Sequence, residues 1–327
     1  MLLLSNKKLS SKVYFNSIRI RMIEMEISKR YNEQKMRCPV HLSVGQEFLP
    51  AIIQTFFNKD DKAVSGHRAH AHYLSKNCSL KKLIAEIYGK KSGCSGGVGG
   101  SMHLIDTSKG FIGSTAIVGN TIPIGAGISL SMSLKKNNNN LTYIFLGDGA
   151  VETGVFFETL NFVVLKKLPC LFICENNFFS VYSELKKRQP ENRKISKLVS
   201  SFGIKTDSAN TADLNDTFKK FSKAYNYVKN KQMPYFVEFH TSRKLEHCGP
   251  NYDDDLNYRK KNFLDYWKKN DPVEKLEKAL IKKNYLSKKK NFSFKNKIKN
   301  EIIESFKYAE NSKPPKFENL NQNLFSR

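Results

Sequence analysis

With 327 residues, the chain is long enough for one large α/β domain or two modest ones with a substantial core. Its formal net charge is +25, but lysine and asparagine are abundant throughout and no arginine-rich aromatic stripe is present, which favours solvated lysine surfaces over a nucleic-acid partner. No apolar run approaches the roughly 18 residues of a membrane span, so no membrane partner is expected either.

The start of the chain and its cysteines predict a reduced, cytoplasmic protein. Only three leucines precede the polar residues at the N-terminus, which is too short for the apolar segment of a signal peptide. The six cysteines are scattered and form no C-x-x-C pair, which argues against a disulfide framework. Cys170 and Cys174 have an even spacing in a predicted strand, so both side chains are expected on one face in the core.

The first predicted element is a long amphipathic helix over residues 13–36. Four apolar residues recur in it at helical spacing, a stripe more typical of core packing than of a cofactor site. These residues are Tyr14, Ile18, Met22 and Met25. Two further helices are predicted at 47–57 and 80–90.

A glycine-dense loop follows at 93–103, and a second glycine-containing segment lies just beyond it. Glycine lets the backbone sit close to a ligand or a partner, and the folded character of the neighbouring segment favours this role over that of a linker. Gly125 and Gly127 are predicted to enter an apolar helix, where small residues allow close packing.

The segment 147–177 is the most informative part of the sequence. Apolar runs at 141–146 and 169–174 are typical of buried strands, and the residues between them are typical of a helix. The segment is therefore predicted to form one βαβ unit of a parallel sheet.

Asp148 and Asn177 fall where these two strands give way to loops. That is the carboxyl edge at which open α/β sheets bind their ligands. Carboxylate and amide oxygens suit Mg²⁺, a hard ion that shares its coordination sphere with substrate phosphates. Gly147 and Gly149 let the backbone approach a diphosphate closely. A Gly-Asp-Gly tripeptide alone is more typical of a plain tight turn, but the strand–helix–strand context favours a metal and diphosphate site.

After Asn177 the chain is predicted to continue with a charged stretch, a helix near 213–229 and a strand at 235–239. No internal repeat or domain break is evident in the sequence. We therefore predict a single α/β domain over residues 1–327, doubly wound around a mostly parallel sheet with helices on both faces. Its parts are a core at about 13–250, a helical C-terminal extension at about 254–310 and an irregular tail at 311–327.

Several separated segments agree, in the same order, with one enzyme family. They are HLSVGQE (41–47), GHRAH (66–70), GGVGGSMH (96–103), IVGNTIPIGAG (117–127), the GDG and NN pair separated by 26 residues, and the late His247. Together they resemble the alpha subunit of the thiamine diphosphate-dependent 2-oxo acid dehydrogenases, of the pyruvate and acetoin dehydrogenase type. The resemblance covers roughly residues 13–310 and depends on the six segments together, because each alone would be weak.

The resemblance implies how a cofactor and its metal are held. Asp148, Asn177 and the main-chain carbonyl of Phe179 would ligate Mg²⁺. Relatives often carry tyrosine at position 179, but a carbonyl ligand does not depend on the side chain. The backbone of Ala116 and Val118 would hold the aminopyrimidine ring, and relatives often have glycine in place of Ala116.

The resemblance also implies a set of contacts to the cofactor diphosphate. Gly149 and Ala150 would provide backbone donors. Arg68 would provide positive charge, consistent with the preference of arginine for phosphate oxygens, and His41 is a further candidate. His67 is included in the same set, although relatives often have tyrosine at its position.

His247 matches the late histidine that contacts the diphosphate and aids proton transfer near the reacting carbon, so the resemblance implies a catalytic role rather than that of an exposed loop residue. The other histidines are harder to assign. A zinc site of His67, His70 and His72 is not expected, because cysteine or acidic ligands at suitable spacing are missing. His70 and His72 either line the cleft or pack in the core, and His103 is a candidate for ordering the glycine-rich loop.

The implied activity is that of an oxidoreductase that decarboxylates a short 2-oxo acid such as pyruvate. Thiamine diphosphate supplies an electron sink for this step, and the acyl group passes to a lipoyl group on an acyltransferase component. In this family, the glutamate that activates the cofactor belongs to a separate beta subunit. The resemblance therefore implies an α₂β₂ assembly and a chain that is inactive alone.

Two alternatives remain open. The EHCGP sequence around His247 is closer to bacterial relatives linked to surface-polysaccharide metabolism, which leaves a transketolase-like or acyloin-type carbon–carbon transfer in polysaccharide precursor synthesis as one alternative. The loop at 248–259 contains no serine, so the phosphoregulation of mitochondrial relatives is not expected. The second alternative is a non-catalytic binding or regulatory relative. It is disfavoured by four intact residues, which are Asp148, Asn177, Arg68 and His247.

Overall fold

The computed structural model describes residues 2–36, 38–135 and 139–316 of the chain. Within them, the strands are β1 (Lys62–Ser65), β2 (Phe111–Ser114), β3 (Thr142–Gly147), β4 (Cys170–Asn176), β5 (Phe179–Ser180), β6 (Ser183–Glu184), β7 (Lys205–Asn210) and β8 (Tyr235–His240). The helices are α1 (Lys7–Tyr31), α2 (Phe48–Ile53), α3 (His70–Ser75), α4 (Leu80–Ile87), α5 (Thr121–Ser133), α6 (Gly154–Leu165), α7 (Leu185–Arg188), α8 (Ile195–Ser200), α9 (Leu214–Lys231), α10 (Lys261–Lys269), α11 (Pro272–Lys282) and α12 (Lys288–Glu310). The predicted helical C-terminal extension is present as α10 to α12. Of the predicted irregular tail, residues 311–316 contain no helix or strand, and residues 317–327 lie outside the described residues.

Six of the strands form one sheet in the order β2-β1-β3-β4-β8-β7, and every neighbouring pair in it is parallel. The chain passes from β1 to β2 on one side and then returns to β3 on the other side of β1, so the sheet is doubly wound. A small antiparallel hairpin of β5 and β6 lies outside this sheet. The predicted doubly wound, mostly parallel architecture is thus confirmed.

Successive residues of the central strands point to opposite faces and enter two separate cores. In β3, Tyr143 and Phe145 belong to the first core, whereas Ile144 and Leu146 belong to the second. Both faces of the sheet are therefore apolar, as expected for parallel strands covered by helices on both sides. The first core also contains residues of α1, α4, α9, α11 and α12, and the second contains residues of α5, α6 and α8.

The cysteines and the helices agree with the expectations from the sequence. All six cysteines are free thiols. Cys170 and Cys174 are fully buried in the second core, which confirms their predicted place on one face of a strand. None of the helices within the described ranges is both long enough and apolar enough to cross a bilayer.

Several predicted helix boundaries were wrong. The first helix spans Lys7–Tyr31 rather than 13–36, because the side chain of Asn6 caps it by accepting a hydrogen bond from the backbone N–H of Leu9 at 3.0 Å. Helix α2 ends at Ile53, four residues before the predicted end, and α4 ends at Ile87, three residues before it. In the predicted stripe of α1, two residues are buried and two are half-buried. The buried ones are Tyr14 and Ile18, and the half-buried ones are Met22 and Met25.

Three strands of the sheet, β1, β2 and β7, were not predicted. Strands β1 and β2 have only four residues each, too few for an alternating pattern to appear. Strand β7 has the sequence KTDSAN and lies at the edge of the sheet, where only one side is paired. Edge strands tolerate polar residues, so hydrophobicity does not reveal them.

Candidate active site

A cleft lies at the carboxyl ends of β1, β3 and β4, which are consecutive in the sheet. The chain order reverses between β1 and β3, so the cleft is at the topological switch point, where doubly wound sheets bind ligands. Most of the site residues predicted from the sequence line this cleft. They are His67, Arg68, Val118, Asp148, Gly149, Ala150, Asn177, Phe179 and His247.

Two predicted residues do not line the cleft directly. The imidazole of His41 lies behind the other two histidines, with its ring centroid 4.8 Å from that of His67 and 5.2 Å from that of His247. Ala116 is half-buried in the turn before Gly119. Its neighbour Val118 lines the cleft and is 46% exposed.

Asp148 begins a short 3₁₀ turn, Asp148–Glu152, directly after β3. Its carboxylate is almost fully buried, and this burial raises the pKa of Asp148 above its ordinary value, although the neighbouring guanidinium of Arg188 acts in the opposite direction. A buried carboxylate needs a positive partner, so this position is suited to a cation.

Asn177 follows β4 and faces the same cleft as Asp148. Its Oδ1 accepts a hydrogen bond from the backbone N–H of Phe179 at 3.1 Å, and its Nδ2 donates to Oε1 of Gln46 at 3.2 Å. Phe178, between them, has a φ of 70°, in the left-handed region that non-glycine residues rarely adopt. These two hydrogen bonds fix the side-chain amide of Asn177, with its oxygen directed toward the backbone N–H of Phe179.

Arg188 is a site residue that was not singled out in the sequence. Its guanidinium donates one hydrogen bond to Asp148 and another to Glu152, and its Nε donates to the carbonyl of Ser183 at 3.2 Å. In the sequence, Arg188 ends a run of three basic residues within a charged stretch, which is typical of a solvated surface. The role of Arg188 is evident only in the folded chain, where its guanidinium lies next to Asp148 of the Gly-Asp-Gly turn.

Three imidazoles form a triangle at one wall of the cleft, with ring centroids between 4.8 and 5.2 Å apart. Burial, followed by the positive charge of Arg68, lowers the pKa of each ring to about 2 for His41, about 4 for His67 and about 3 for His247. All three rings are therefore neutral at pH 7. Nδ1 of His41 is buried and has no hydrogen-bond partner among the residues that the structure describes.

Arg68 lies beside this triangle. Its Nη1 donates to the carbonyl of Leu42 at 2.6 Å, and its Nη2 donates to the carbonyl of His247 at 3.0 Å. Burial and then the nearby charge of Arg243 lower the pKa of Arg68 to about 9. Among the residues that the structure describes, no carboxylate forms an ion pair with Arg68. A half-buried guanidinium without a carboxylate partner is suited to an anionic ligand.

The positive charge of Arg68 affects which ligands the three imidazoles can bind. Nitrogen atoms of His41, His67 and His247 lie within 4.8 Å of one another, close enough to suggest a metal site. However, Nη2 of Arg68 is 3.5 Å from Nδ1 of His247, so a metal cation there would face a half-buried positive charge. The electrostatics favour an anion at this wall.

Two loops distant in sequence bring His41 and His247 together. The backbone N–H of Lys244 donates to the carbonyl of Val44 at 2.8 Å, and the N–H of Gly249 donates to the carbonyl of Val40, also at 2.8 Å. Residues 244–249 therefore lie along residues 40–44. The position of His247 is therefore determined by backbone hydrogen bonds of its loop and not by contacts of its own side chain.

His70 and His72 have different environments. His72 lines the cleft and bridges Nδ1 to Oγ of Ser65 at 2.7 Å and Nε2 to Oε2 of Glu175 at 2.8 Å. His70 is fully buried away from the cleft, with Nδ1 2.9 Å from Oε1 of Glu24. One of the two thus lines the cleft and the other packs in the core.

The glycine-rich loop at 93–103 is held by one buried carboxylate. Glu86 accepts four backbone hydrogen bonds from this loop, with distances from 2.6 to 3.3 Å. The donors are the N–H groups of Ser95, Gly97, Gly99 and Gly100. The loop in turn reaches the cleft wall, because Oγ of Ser101 accepts from the N–H of His41 at 3.2 Å. His103 is exposed and contributes to the loop through its backbone: its N–H donates to the carbonyl of Gly99 at 3.2 Å, and its carbonyl accepts from Oγ of Ser95 at 2.5 Å.

The sequence matches the family model of the dehydrogenase E1 component over residues 16–318. It is 31% identical over 314 residues to the pyruvate dehydrogenase E1 component subunit alpha of Rickettsia bellii, covering 96% of this chain and 95% of the relative. The corresponding subunit of Rickettsia felis is 31% identical over 304 residues, 93% of this chain and 92% of the relative. The testis-specific mitochondrial form of this subunit from Rattus norvegicus is 30% identical over 315 residues, 96% of this chain and 78% of the relative.

Proposed function

The chain belongs to the dehydrogenase E1 component family and is the alpha subunit of a thiamine diphosphate-dependent 2-oxo acid dehydrogenase, and from this premise we propose that it decarboxylates a short 2-oxo acid such as pyruvate in an active site shared with a separate beta subunit. As in other pyruvate dehydrogenase-like oxidoreductases, the acyl group would pass to a lipoyl group on an acyltransferase component. The expected assembly is α₂β₂.

The observation that carries this proposal is the half-buried guanidinium of Arg68, which forms no ion pair with a carboxylate of the described residues. A diphosphate would supply the missing negative charge, and charge-assisted hydrogen bonds to phosphate are among the strongest that arginine forms. The neutral imidazoles of His41 and His67 and the backbone of Gly149 and Ala150 would provide further contacts to the same group. The donors at this wall therefore fit a diphosphate.

Mg²⁺ is the proposed metal, and its protein ligands would be Asp148, Asn177 and the main-chain carbonyl of Phe179. All three are hard oxygen donors, as this ion prefers. Asp148 is also the most buried carboxylate that lines the cleft, so a cation beside it removes an unfavourable charge. The backbone of Ala116 and Val118 would hold the aminopyrimidine ring.

When bound, thiamine diphosphate supplies an electron sink for decarboxylation. The role of His247 is to hold a proton near the reacting carbon. Nη2 of Arg68 points a hydrogen at Nδ1 of His247 from 3.5 Å, which favours the tautomer with the proton on Nε2. The lowered pKa keeps this imidazole neutral at pH 7, so Nε2 of His247 can donate a hydrogen bond toward the reacting carbon's substituents.

Exposed apolar residues beside the cleft support a beta-subunit partner. Val118 lines the cleft, its neighbour Ile117 is 67% exposed, and Ile124 in the first turn of α5 is 46% exposed. Side chains of this kind in a group are typical of a subunit interface. A partner that covers them would border the cleft and could contribute the activating glutamate.

The proposal can be tested with the full-length chain purified alone and with its beta subunit. Isothermal titration calorimetry should detect thiamine diphosphate binding to the assembly when Mg²⁺ is present. Asp148→Asn should lose the Mg²⁺-dependent binding of thiamine diphosphate, whereas the exposed control Asp265→Asn should bind the cofactor as the wild type does. No heat of binding under these conditions would refute the proposed cofactor site.

Activity assays separate the proposed reaction from its alternative. With pyruvate, the assembly should release carbon dioxide and acylate lipoamide, while the chain alone should not turn over. Robust turnover by the single chain would refute the shared active site. Transfer to an aldehyde acceptor without acylation of lipoamide would instead identify a carbon–carbon transferase.

A further inference from the structure

Arg188 and the proposed metal ligand Asp148 form an ion pair inside the cleft. The guanidinium reaches Asp148 through one nitrogen and Glu152 through the other. Its position is fixed on the protein side as well, because Nε donates to the carbonyl of Ser183 at 3.2 Å in the hairpin before α7. Only 12% of the Arg188 side chain is exposed, so this is a built contact and not a surface encounter.

The ion pair uses the oxygen atoms that a divalent cation would need. Asp148 is almost fully buried, and Oδ2 of its carboxylate accepts from Arg188. A metal ion on the same carboxylate would lie close to the guanidinium, and like charges at such a distance in a partly buried site repel strongly. The two cations therefore compete for one carboxylate.

Glu152 provides a second carboxylate with which the guanidinium of Arg188 forms a hydrogen bond. Its carboxylate is 30% exposed and accepts from Nη1 of Arg188 and also from Nε2 of Gln189 at 3.0 Å. The rigid fork of arginine allows one arm to release Asp148 while the other stays on Glu152. Glu152 can thus retain the guanidinium when a metal ion takes Asp148.

We propose that Arg188 is a built-in competitor of the divalent cation at Asp148, and that Glu152 holds the displaced guanidinium and so sets the affinity for the metal. Arg188 is in this sense a positioning residue, since it acts through Asp148 and not on the substrate. The inference rests on the metal-binding role proposed for Asp148 above.

The test is a titration of the assembly of the full-length chain with its beta subunit, in which Mn²⁺ is added in the presence of thiamine diphosphate and free Mn²⁺ is measured by electron paramagnetic resonance. Arg188→Gln removes the competing charge and should tighten Mn²⁺ binding by roughly tenfold, a change of about 1.4 kcal/mol. Glu152→Gln removes the second carboxylate partner of the guanidinium and should weaken binding. Lys187→Gln, an exposed neighbour of the same charge, is the matched control and should leave the affinity close to that of the wild type.

The direction of the effect separates competition from damage. A substitution that merely disturbed the cleft would weaken metal binding, so a gain for Arg188→Gln is not explained by a structural role. Equal or weaker binding by a folded Arg188→Gln variant, with a circular dichroism spectrum like that of the wild type, would overturn the inference while leaving the metal site intact. An unchanged affinity for Glu152→Gln would overturn the part assigned to Glu152. If the wild type and Arg188→Gln both failed to bind Mn²⁺, the metal site itself would be refuted, and the inference with it.

Discussion

The guanidinium of Arg68 donates a hydrogen bond to the main-chain carbonyl of His247 at 3.0 Å and lies 3.5 Å from Nδ1 of the same residue. One side chain therefore fixes both the backbone and the ring of the proposed catalytic histidine. The same guanidinium has no carboxylate partner among the described residues, so the charge that positions His247 is also available to an anion. Binding of the anion and orientation of the histidine are in this way coupled through Arg68.

Replacement of Arg68 by glutamine should weaken thiamine diphosphate binding by about ten- to a hundredfold, because the equivalent of one charge-assisted hydrogen bond of roughly 1.5–3 kcal/mol is lost. Arg68→Lys should recover only part of the affinity, since an ammonium lacks the fork that reaches two acceptors. Calorimetry on the alpha–beta assembly would measure both. Arg193→Gln, at an exposed position, is the control, and an equal loss in that variant would point to a general effect of charge.

Acidification should destabilise the chain in the absence of cofactor, because the buried imidazole of His41 and the half-buried imidazoles of His67 and His247 are held in neutral form. Their pKa values are lowered to about 2 in His41, about 4 in His67 and about 3 in His247, against 6.5 in the unfolded chain. Below pH 6.5 the three imidazoles bind protons in the unfolded state but not in the folded state. Their full contribution to the free energy of unfolding is therefore present above pH 6.5, and it decreases as the pH falls toward the pKa values of the folded state. The slope should be roughly 1 kcal/mol per pH unit for each ring, discounted for partial exposure.

Urea unfolding at pH 7.5 and pH 5.5 would measure this loss. His67→Tyr removes one of the three rings and should reduce the difference between the two pH values by about a third. His103→Gln removes an exposed histidine and serves as the control. A wild-type stability that rises or stays constant on acidification over this window would contradict the assignment of neutral imidazoles.

Much of the site could be predicted from the sequence, because apolar runs indicate where the central strands end. The apolar runs before Asp148 and Asn177 placed both residues at the carboxyl edge of a parallel sheet, and the structure places both at the same cleft. The meeting of His41 with His247 follows from backbone pairing between distant loops, which no local pattern reveals. From the residues alone it was not predictable, and only the family resemblance suggested it.

Arg188 and β7 show two further limits. Arg188 stands in a basic run that is typical of solvent, and its burial arises from the hairpin that folds it back onto Asp148. Strand β7 is polar because it lies at a sheet edge, so hydrophobic patterning did not predict it. In both cases the structural environment is set by neighbours far along the chain.

Glu86→Gln should destabilise the glycine-rich loop, because an amide offers one acceptor oxygen where the carboxylate offers two. Four backbone N–H groups converge on this buried carboxylate, and unpaired donors in a buried position cost about 1–3 kcal/mol each. We expect a loss of roughly 2–3 kcal/mol in the free energy of unfolding and faster proteolysis within 93–103. The exposed Glu158→Gln is the matched control, and equal proteolysis of the two variants would show that Glu86 does not hold the loop.

The two glycines of α5 offer a matched pair within one helix. A Cβ atom at Gly125 would lie 2.6 Å from Cγ1 of Ile144 and 2.9 Å from Cγ2 of Val64, whereas a Cβ at Gly127 would meet nothing within 4 Å. The prediction of close packing therefore holds for Gly125 and is wrong for Gly127 within this chain. Gly125 must be small because α5 packs directly on β1 and β3.

Gly125→Ala should accordingly lower the free energy of unfolding by about 1–3 kcal/mol through overpacking. Gly127→Ala should raise it by up to about 1 kcal/mol, since alanine favours the helix and has open space around it. Urea unfolding of the full-length chain compares the two directly. Destabilisation by Gly127→Ala in the chain alone would contradict this, whereas stabilisation of the chain together with weaker association with the beta subunit would indicate that the partner packs closely on this face of α5.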